Sequence, residues 1–106
     1  MITVSRTTFE KNNKPNQTHS YDTGSAWQNL ALEGASRGYV VHGMQGFDYE
    51  KAKNILQLPE NYQVEAMIAI GKRAPADQLP PEIQEKETPS MRKPIDEIAF
   101  EGVFQG

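Results

Sequence analysis

Between Tyr62 and Lys72 the chain reads YQVEAMIAIGK, and this segment constrains the fold more than any other. It opens with alternation, Tyr62, Val64 and Ala66 against Gln63 and Glu65, and becomes continuously apolar from Met67 to Ile70. Alternation suits a strand with one wet face, whereas an unbroken apolar run bounded by polar residues needs packing on both faces. The pattern predicts a central strand over Tyr62–Lys72, covered on both sides.

Other elements must supply that cover. Ile2–Phe9 is rich in β-branched residues and alternates Ile2, Val4, Arg6, Thr8 against Thr3, Ser5, Thr7, Phe9, which predicts a strand beside the central one. Glu10–Tyr21 has Asn, Lys, Pro and Ser without an apolar period and reads as a loop. Asp22 or Thr23 can cap a helix from about Gly24 to Arg37, with Trp27, Leu30, Ala31 and Gly34 at helical spacing. Gly34 costs about 1 kcal/mol of helix propensity, so a close neighbour is expected there, and Gly38 is placed to stop the helix. Tyr39–His42 reads as a short strand ended by Gly43 and Gly46. Asp48 can then cap a second helix, Tyr49–Gln57, with Ala52, Ile55 and Leu56 inward and Pro59 closing it.

Beyond Ala74 the character changes. Five of the seven prolines lie between Pro75 and Pro94, mixed with Glu, Lys and Gln, a composition that cannot form its own core. Apolar residues return at Ile95, Ile98, Phe100, Val103 and Phe104, as if the tail crosses a surface and docks. The whole is polar, with 37% hydrophobic residues and a mean hydropathy of -0.68, so a single domain of 106 residues has a thin core and is expected to gain support from a partner chain, a cofactor or both.

Charge and composition narrow the function. A net charge of -3 gives no general attraction to a nucleic-acid backbone or an anionic membrane, so neither is expected as a partner. There are no cysteines, which excludes disulfides, thiolate metal sites and cysteine nucleophiles. No apolar run approaches the roughly 20 residues of a membrane span and the start MITVSRTTF does not read as a signal peptide, so a cytoplasmic location is the expectation. His19 and His42 lack the spaced partners of a metal site.

The stretch DTGSAWQNLALEGASRGYVVHGMQGFDYEKAKNILQLPENYQVEAMIAIGK resembles the second half of the nitroreductase family of FMN-dependent NAD(P)H oxidoreductases. The resemblance rests on Asn29-Leu30-Ala31-Leu32, Met44-Gln45-Gly46-Phe47-Asp48, Leu58-Pro59-Glu60 and Ile70-Gly71, in that order, with TPSMRKPIDEIAFEGVF similar to the family's basic C-terminal segment. It implies an α+β, nitroreductase-like partial fold, mainly antiparallel sheet with packed helices and an extended C-terminal arm. The expected organisation is one truncated domain, a strand and helix core over residues 1–88 and an arm over 89–106. It also implies an absent N-terminal half that carries an arginine-rich grip on the FMN phosphate. The chain then reads as a natural truncation, one piece of a split protein or an expressed fragment.

By motif position, Gln45 and Gly46 stand where the family presents backbone N–H groups near the flavin N5, and a glycine suits a place where a Cβ would obstruct the ring. Arg92 and Lys93 align with the family's basic pair toward the FMN phosphate, a role suited to the planar fork of arginine. Lys72 and Arg73 are weaker candidates for the same charge. No catalytic residue or metal ligand is expected. The resemblance implies two-electron transfer from NAD(P)H to nitroaromatics, quinones or similar small acceptors, by a homodimer or with the missing half. The alternative is a non-catalytic remnant or interaction module that kept the sheet and dimer surface and lost flavin.

Overall fold

The structure, a computed structural model, describes residues 1–103. They fall in two compact units, the first Met1–Arg73 and the second from Ala74 onward. The division comes earlier than the Thr88/Pro89 boundary expected from sequence. In the first unit β1 (Ile2–Arg6), α1 (His19–Ser36), β2 (Val40–Met44), α2 (Tyr49–Ile55) and β3 (Tyr62–Gly71) form a mixed α+β arrangement around a three-stranded sheet of order β1-β3-β2. Both pairings are antiparallel, so β3 is the central strand, as its apolar run predicts, and β1 lies beside it.

Cover on both faces holds from Val64 to Ile68, whereas Ala69 and Ile70, in the second half of the apolar run expected to be covered, are exposed. Antiparallel partners share a face, and Val41 with Ile70 and Gly43 with Ile68 face α1, where Gly34 and Trp27 meet Val41 and Gly43. The opposite face carries Ile2 paired with Met67, which line an apolar groove of about 280 Å³ with Phe47, Ala52, Ile55 and Leu56. Each face has one well-buried residue, Ile68 at 2% exposure and Val64 at 6%, and these two are the buried hydrophobic core among the described residues. Ile55 and Leu56, expected inward, instead form the rim of the groove and are exposed, Ile55 at 69%. α2 ends at Ile55, two residues short of the expected Gln57, and Leu56 is its C-cap.

The ladder between β1 and β3 contains a bulge. Thr3 pairs with Ala66 and Val4 with Val64, leaving Glu65 without a partner. An extra residue lets two successive side chains share a face, and Glu65 turns to the α1 side. There it accepts hydrogen bonds from Ser5 and Ser20 at 2.5 and 2.7 Å.

Three sequence expectations change here. The first strand ends at Arg6, not Phe9, and Thr8 forms only an isolated bridge to Pro15 across a turn in which Asn13 adopts positive φ. The first helix starts at His19, five positions before Gly24 if counted along the sequence, and the side chain of its N-cap Thr18 caps no backbone N–H. Asp22, expected as a cap, sits in the first turn, where a carboxylate is favourable near the helix N-terminus, and accepts from the Thr18 hydroxyl at 3.2 Å. Thr23 and Ser25 join the helix by bonding back to the carbonyls of His19 and Tyr21 at 2.9 and 3.0 Å. Gly43 does not end the second strand but continues it, paired with Ile68.

The remaining signals hold. Gly38 has φ +76° and its N–H reaches the Ala35 carbonyl, while Tyr39 N–H reaches Gly34, a Schellman stop for α1. Asp48 caps α2 through the Lys51 N–H at 2.9 Å. Thr23, Trp27, Leu30, Ala31 and Gly34 make the half-buried stripe of α1. The second unit has one helical turn, Pro81–Gln84, and 3₁₀ turns at Ala76–Gln78, Glu85–Glu87 and Ile95–Glu97. Its late apolar residues stay exposed, Ile95 at 72%, and Phe104 lies outside the described residues.

Two glycines set the distance between α1 and β2. A Cβ on Gly34 would stand 2.5 Å from Val41 Cγ2, and one on Gly43 would stand 3.3 Å from the Trp27 ring. Gly34→Ala gains about 1 kcal/mol of helix propensity, but overpacking costs about 1–3 kcal/mol and the branched Val41 side chain has little rotamer freedom to turn aside. We expect Gly34→Ala to lower stability by about 1 kcal/mol in denaturant titration, more than Gly43→Ala. Adding Val41→Ala to Gly34→Ala should remove the penalty of the second methyl. A Gly34→Ala chain as stable as the parent would show that helix and strand separate at no cost.

Candidate functional site

Where β2 ends, Trp27 from α1, Gly43 and Met44 from β2, Gln45 beyond it and Ala66 from β3 line an open cleft of about 390 Å³. Its size falls within the roughly 300–1,000 Å³ of small-molecule sites. Trp27 is held over Gly43, and its indole Nε1 is buried without a hydrogen-bond partner among the described residues. Met44 pairs with Met67 at the last rung of the ladder. Met44 directs its side chain to the other face with Met67, so the wall of the cleft is the Trp27 ring beside the strand backbone at Gly43, an arrangement suited to a flat, mainly apolar group.

The chain leaves β2 through a tight turn in which the Phe47 N–H bonds the Gln45 carbonyl at 2.9 Å. Phe47 then stacks on Tyr49, ring centroids 4.2 Å apart, while Asp48 starts α2, so the turn is fixed at both ends. The N–H groups of Gln45 and Gly46 have no partner among the described residues. Gly46 has no positive φ, and a Cβ built on it meets nothing within 4 Å. Neither the turn nor packing inside this chain requires glycine there. A flavin ring edge needs close backbone approach and N–H donors, and the residues present fit that demand.

Lys72 and Arg73 follow β3 at the end of the first unit and are exposed. Arg92 and Lys93 belong to the second unit, where Arg92 donates to the Ser90 hydroxyl at 3.4 Å. His42 is exposed on β2, opposite Ala69, and no cluster of three metal-ligating side chains occurs among the described residues.

Sequence reasoning missed the polar cluster around His19. Its Nδ1 lies 2.8 Å from Ser5 Oγ and 3.4 Å from Glu65 Oε1. The composition suggests a nucleophile relay, but the geometry excludes one. A relay needs hydroxyl and carboxylate on opposite ring nitrogens, whereas here both face Nδ1, and Ser5 is only 4% exposed. The one hint in the sequence is Glu65, an acidic residue in the middle of a central strand.

The Nitroreductase family matches residues 1–72 of the chain. Protein DrgA of Synechocystis sp. is 44% identical over 50 residues, 47% of this chain and 24% of that protein. An uncharacterized 15.4 kDa protein of Mycolicibacterium smegmatis is 30% identical over 82 residues, 76% of this chain and 55% of that protein. The chain therefore spans about a quarter to about half the length of these curated relatives. Among solved structures, an oxidoreductase containing FMN superposes with a TM-score of 0.89 at 38% identity, over 99% of this chain and 55% of that one. A nitroreductase family protein from Streptococcus pneumoniae gives 0.59 at 25% identity, over 79% and 37%. With the sheet order, the glycine turn and the helix stops all in place, the chain belongs to the nitroreductase family.

Proposed function

We propose that the chain forms the flavin-edge portion of an FMN-dependent NAD(P)H oxidoreductase of nitroreductase type, one that reduces nitroaromatics, quinones or similar small acceptors by two electrons. The observation that carries this reading is the turn at Gln45-Gly46: two backbone N–H groups without partners, beside an open cleft, at a glycine that nothing inside the chain requires. The similarity over 99% of the chain to an oxidoreductase containing FMN supports it. FMN, when bound, supplies the hydride and electron chemistry. The chain's own part is to hold and orient. Gln45 and Gly46 donate N–H groups to the ring edge, Trp27 flanks the cleft and excludes water, and Arg92 and Lys93 balance the phosphate charge. A cytoplasmic setting rests on the sequence expectation.

We also propose a homodimer in which the tail from about Pro89 to Phe104 is exchanged between subunits. Ile95, Ile98 and Val103 are exposed, and each such side chain is worth roughly 1.5–3 kcal/mol when taken out of water. That gain offsets the cost of ordering a proline-rich stretch. The exposed apolar side chains of the tail and the thin core of the first unit each leave apolar surface to be buried.

Titration of the purified chain with FMN, followed by flavin fluorescence at low salt, tests the first proposal. Binding is expected, weakened about tenfold or more by Arg92→Ala because a charge-assisted hydrogen bond is worth roughly 1.5–3 kcal/mol, and unchanged by His42→Ala. Equal affinity for the parent and Arg92→Ala would remove Arg92 from the site. A colourless chain that ignores added FMN would favour the non-catalytic interaction module. Sedimentation tests the second proposal: the intact chain should be a dimer, and a chain ending at Thr88 should be a monomer or unfold. A stable, folded monomer of the intact chain at micromolar concentration would overturn tail exchange.

A further inference from the structure

Ser5, His19, Ser20 and Glu65 meet around one carboxylate oxygen. Ser5 Oγ and Ser20 Oγ lie 2.5 and 2.7 Å from Glu65 Oε1, and each hydroxyl donates to it. A hydroxyl has one proton to give, so neither serine can also donate to His19. Yet His19 Nδ1 lies 2.8 Å from Ser5 Oγ, 3.2 Å from Ser20 Oγ and 3.4 Å from Glu65 Oε1. With both hydroxyl protons given to the carboxylate, those contacts are attractive only if Nδ1 carries a hydrogen. The proton count closes in one way: Nδ1–H donates to Ser5, and both serines donate to Glu65.

We propose that these four residues form an acid-sensitive latch that seats the first turn of α1 on the β3 bulge, with His19 held in a form protonated at Nδ1, and that the latch opens when Glu65 takes up a proton. Protonation of His19 at its second nitrogen leaves every one of these bonds intact. Protonation of Glu65 does not, because the acceptor of two hydroxyl protons then loses its charge and brings a proton of its own. The helix start is the part that responds, since Thr18 gives it no side-chain cap and His19 and Ser20 are its residues in the cluster.

Few other titratable groups face this carboxylate. From β3 itself, Gln63 Nε2 stands 3.5 Å from Oε1, and from α2 the Tyr49 hydroxyl reaches the Glu65 carbonyl at 3.5 Å. Asp22, on the next part of α1, is bonded to Thr18. Burial pushes the Glu65 carboxyl up, but the Ser5 and Ser20 hydroxyls and the adjacent His19 more than offset it and hold it below its ordinary value. A carboxyl depressed in the folded state contributes stability that is present above its unfolded value and lost as pH falls through its folded one. The latch is therefore closed at neutral pH and opens only in acid, below the ordinary range of a glutamate.

Nitrogen-resolved NMR of the imidazole, with backbone shifts of residues 19–23 followed from pH 8 to pH 3, tests this. His19 should carry its proton at Nδ1 at pH 8, and the helix start should lose its helical shifts on acidification before β3 does. Glu65→Gln keeps an acceptor oxygen that does not titrate in this range, and should flatten the profile. Ser20→Ala, at an exposed position that folding tolerates, removes one hydroxyl donor and should move the opening to higher pH. A neutral His19 protonated only at Nε2 would overturn the proposal. So would a helix start that stays formed until the sheet unfolds, or an opening midpoint that Ser20→Ala does not move; the last decides the matter if Glu65→Gln fails to fold.

Discussion

The backbone of β3 is hydrogen-bonded along both edges and, from Val64 to Ile68, packed on both faces, and the other elements of the first unit are placed by it. A strand so enclosed cannot slip by one residue without exchanging its two faces. Ile68 would then leave the α1 side and Met67 the groove. The bulge at Glu65 uses the same rule in reverse, taking up one residue so that a carboxylate and Ala66 both face α1. Beyond the bulge Val64 falls on the α2 face and becomes its buried residue. One extra residue thus divides β3 into an apolar end that carries the cleft and a polar end that receives the start of α1.

The central strand, its partner β1, the stop at Gly38 and the cap at Asp48 were legible because each depends on local pattern or on a backbone conformation that few residues adopt. The start of α1 was not. Residues His19–Thr23 have mediocre helix propensity and no side-chain cap, and the bond from Ser20 to Glu65, forty-five positions along the chain, is a contact that no local pattern records. Gly43 misled for a related reason. Glycine within a strand reads as a terminator, but its role is to admit the Trp27 ring, a contact between elements that sequence spacing does not record. Of the candidate site, the turn at Gln45-Gly46 was legible through its motif, whereas Trp27 was read as packing and is also a wall of the cleft.

Thinness of the core leaves the first unit with apolar surface still to bury. Two buried hydrophobic residues among the described ones are few beside the conformational entropy of a chain this long. The apolar groove beside α2 and the exposed Val40 and Ile70 at the far end of the sheet show where further burial is available within the first unit. The chain covers 55% of the length of the FMN-containing oxidoreductase it overlays.

The glycines separate what the chain needs for itself from what it offers to something else. Gly34 and Gly43 are demanded by neighbours, Val41 and Trp27, and Gly38 by its left-handed backbone. Each has a cause inside the first unit, and an alanine at any of them acts first on stability. Gly46 has no such cause, for its φ is ordinary and its Cβ position is open. An alanine there should therefore leave folding nearly untouched, and whatever it disturbs must come from outside the unit. Because the turn is pinned by the Phe47–Tyr49 stack and the Asp48 cap, its two N–H groups are held in place without being used. Donors fixed in advance by packing bind at lower entropic cost than donors that must be ordered, which is the property that a rigid cofactor edge would exploit.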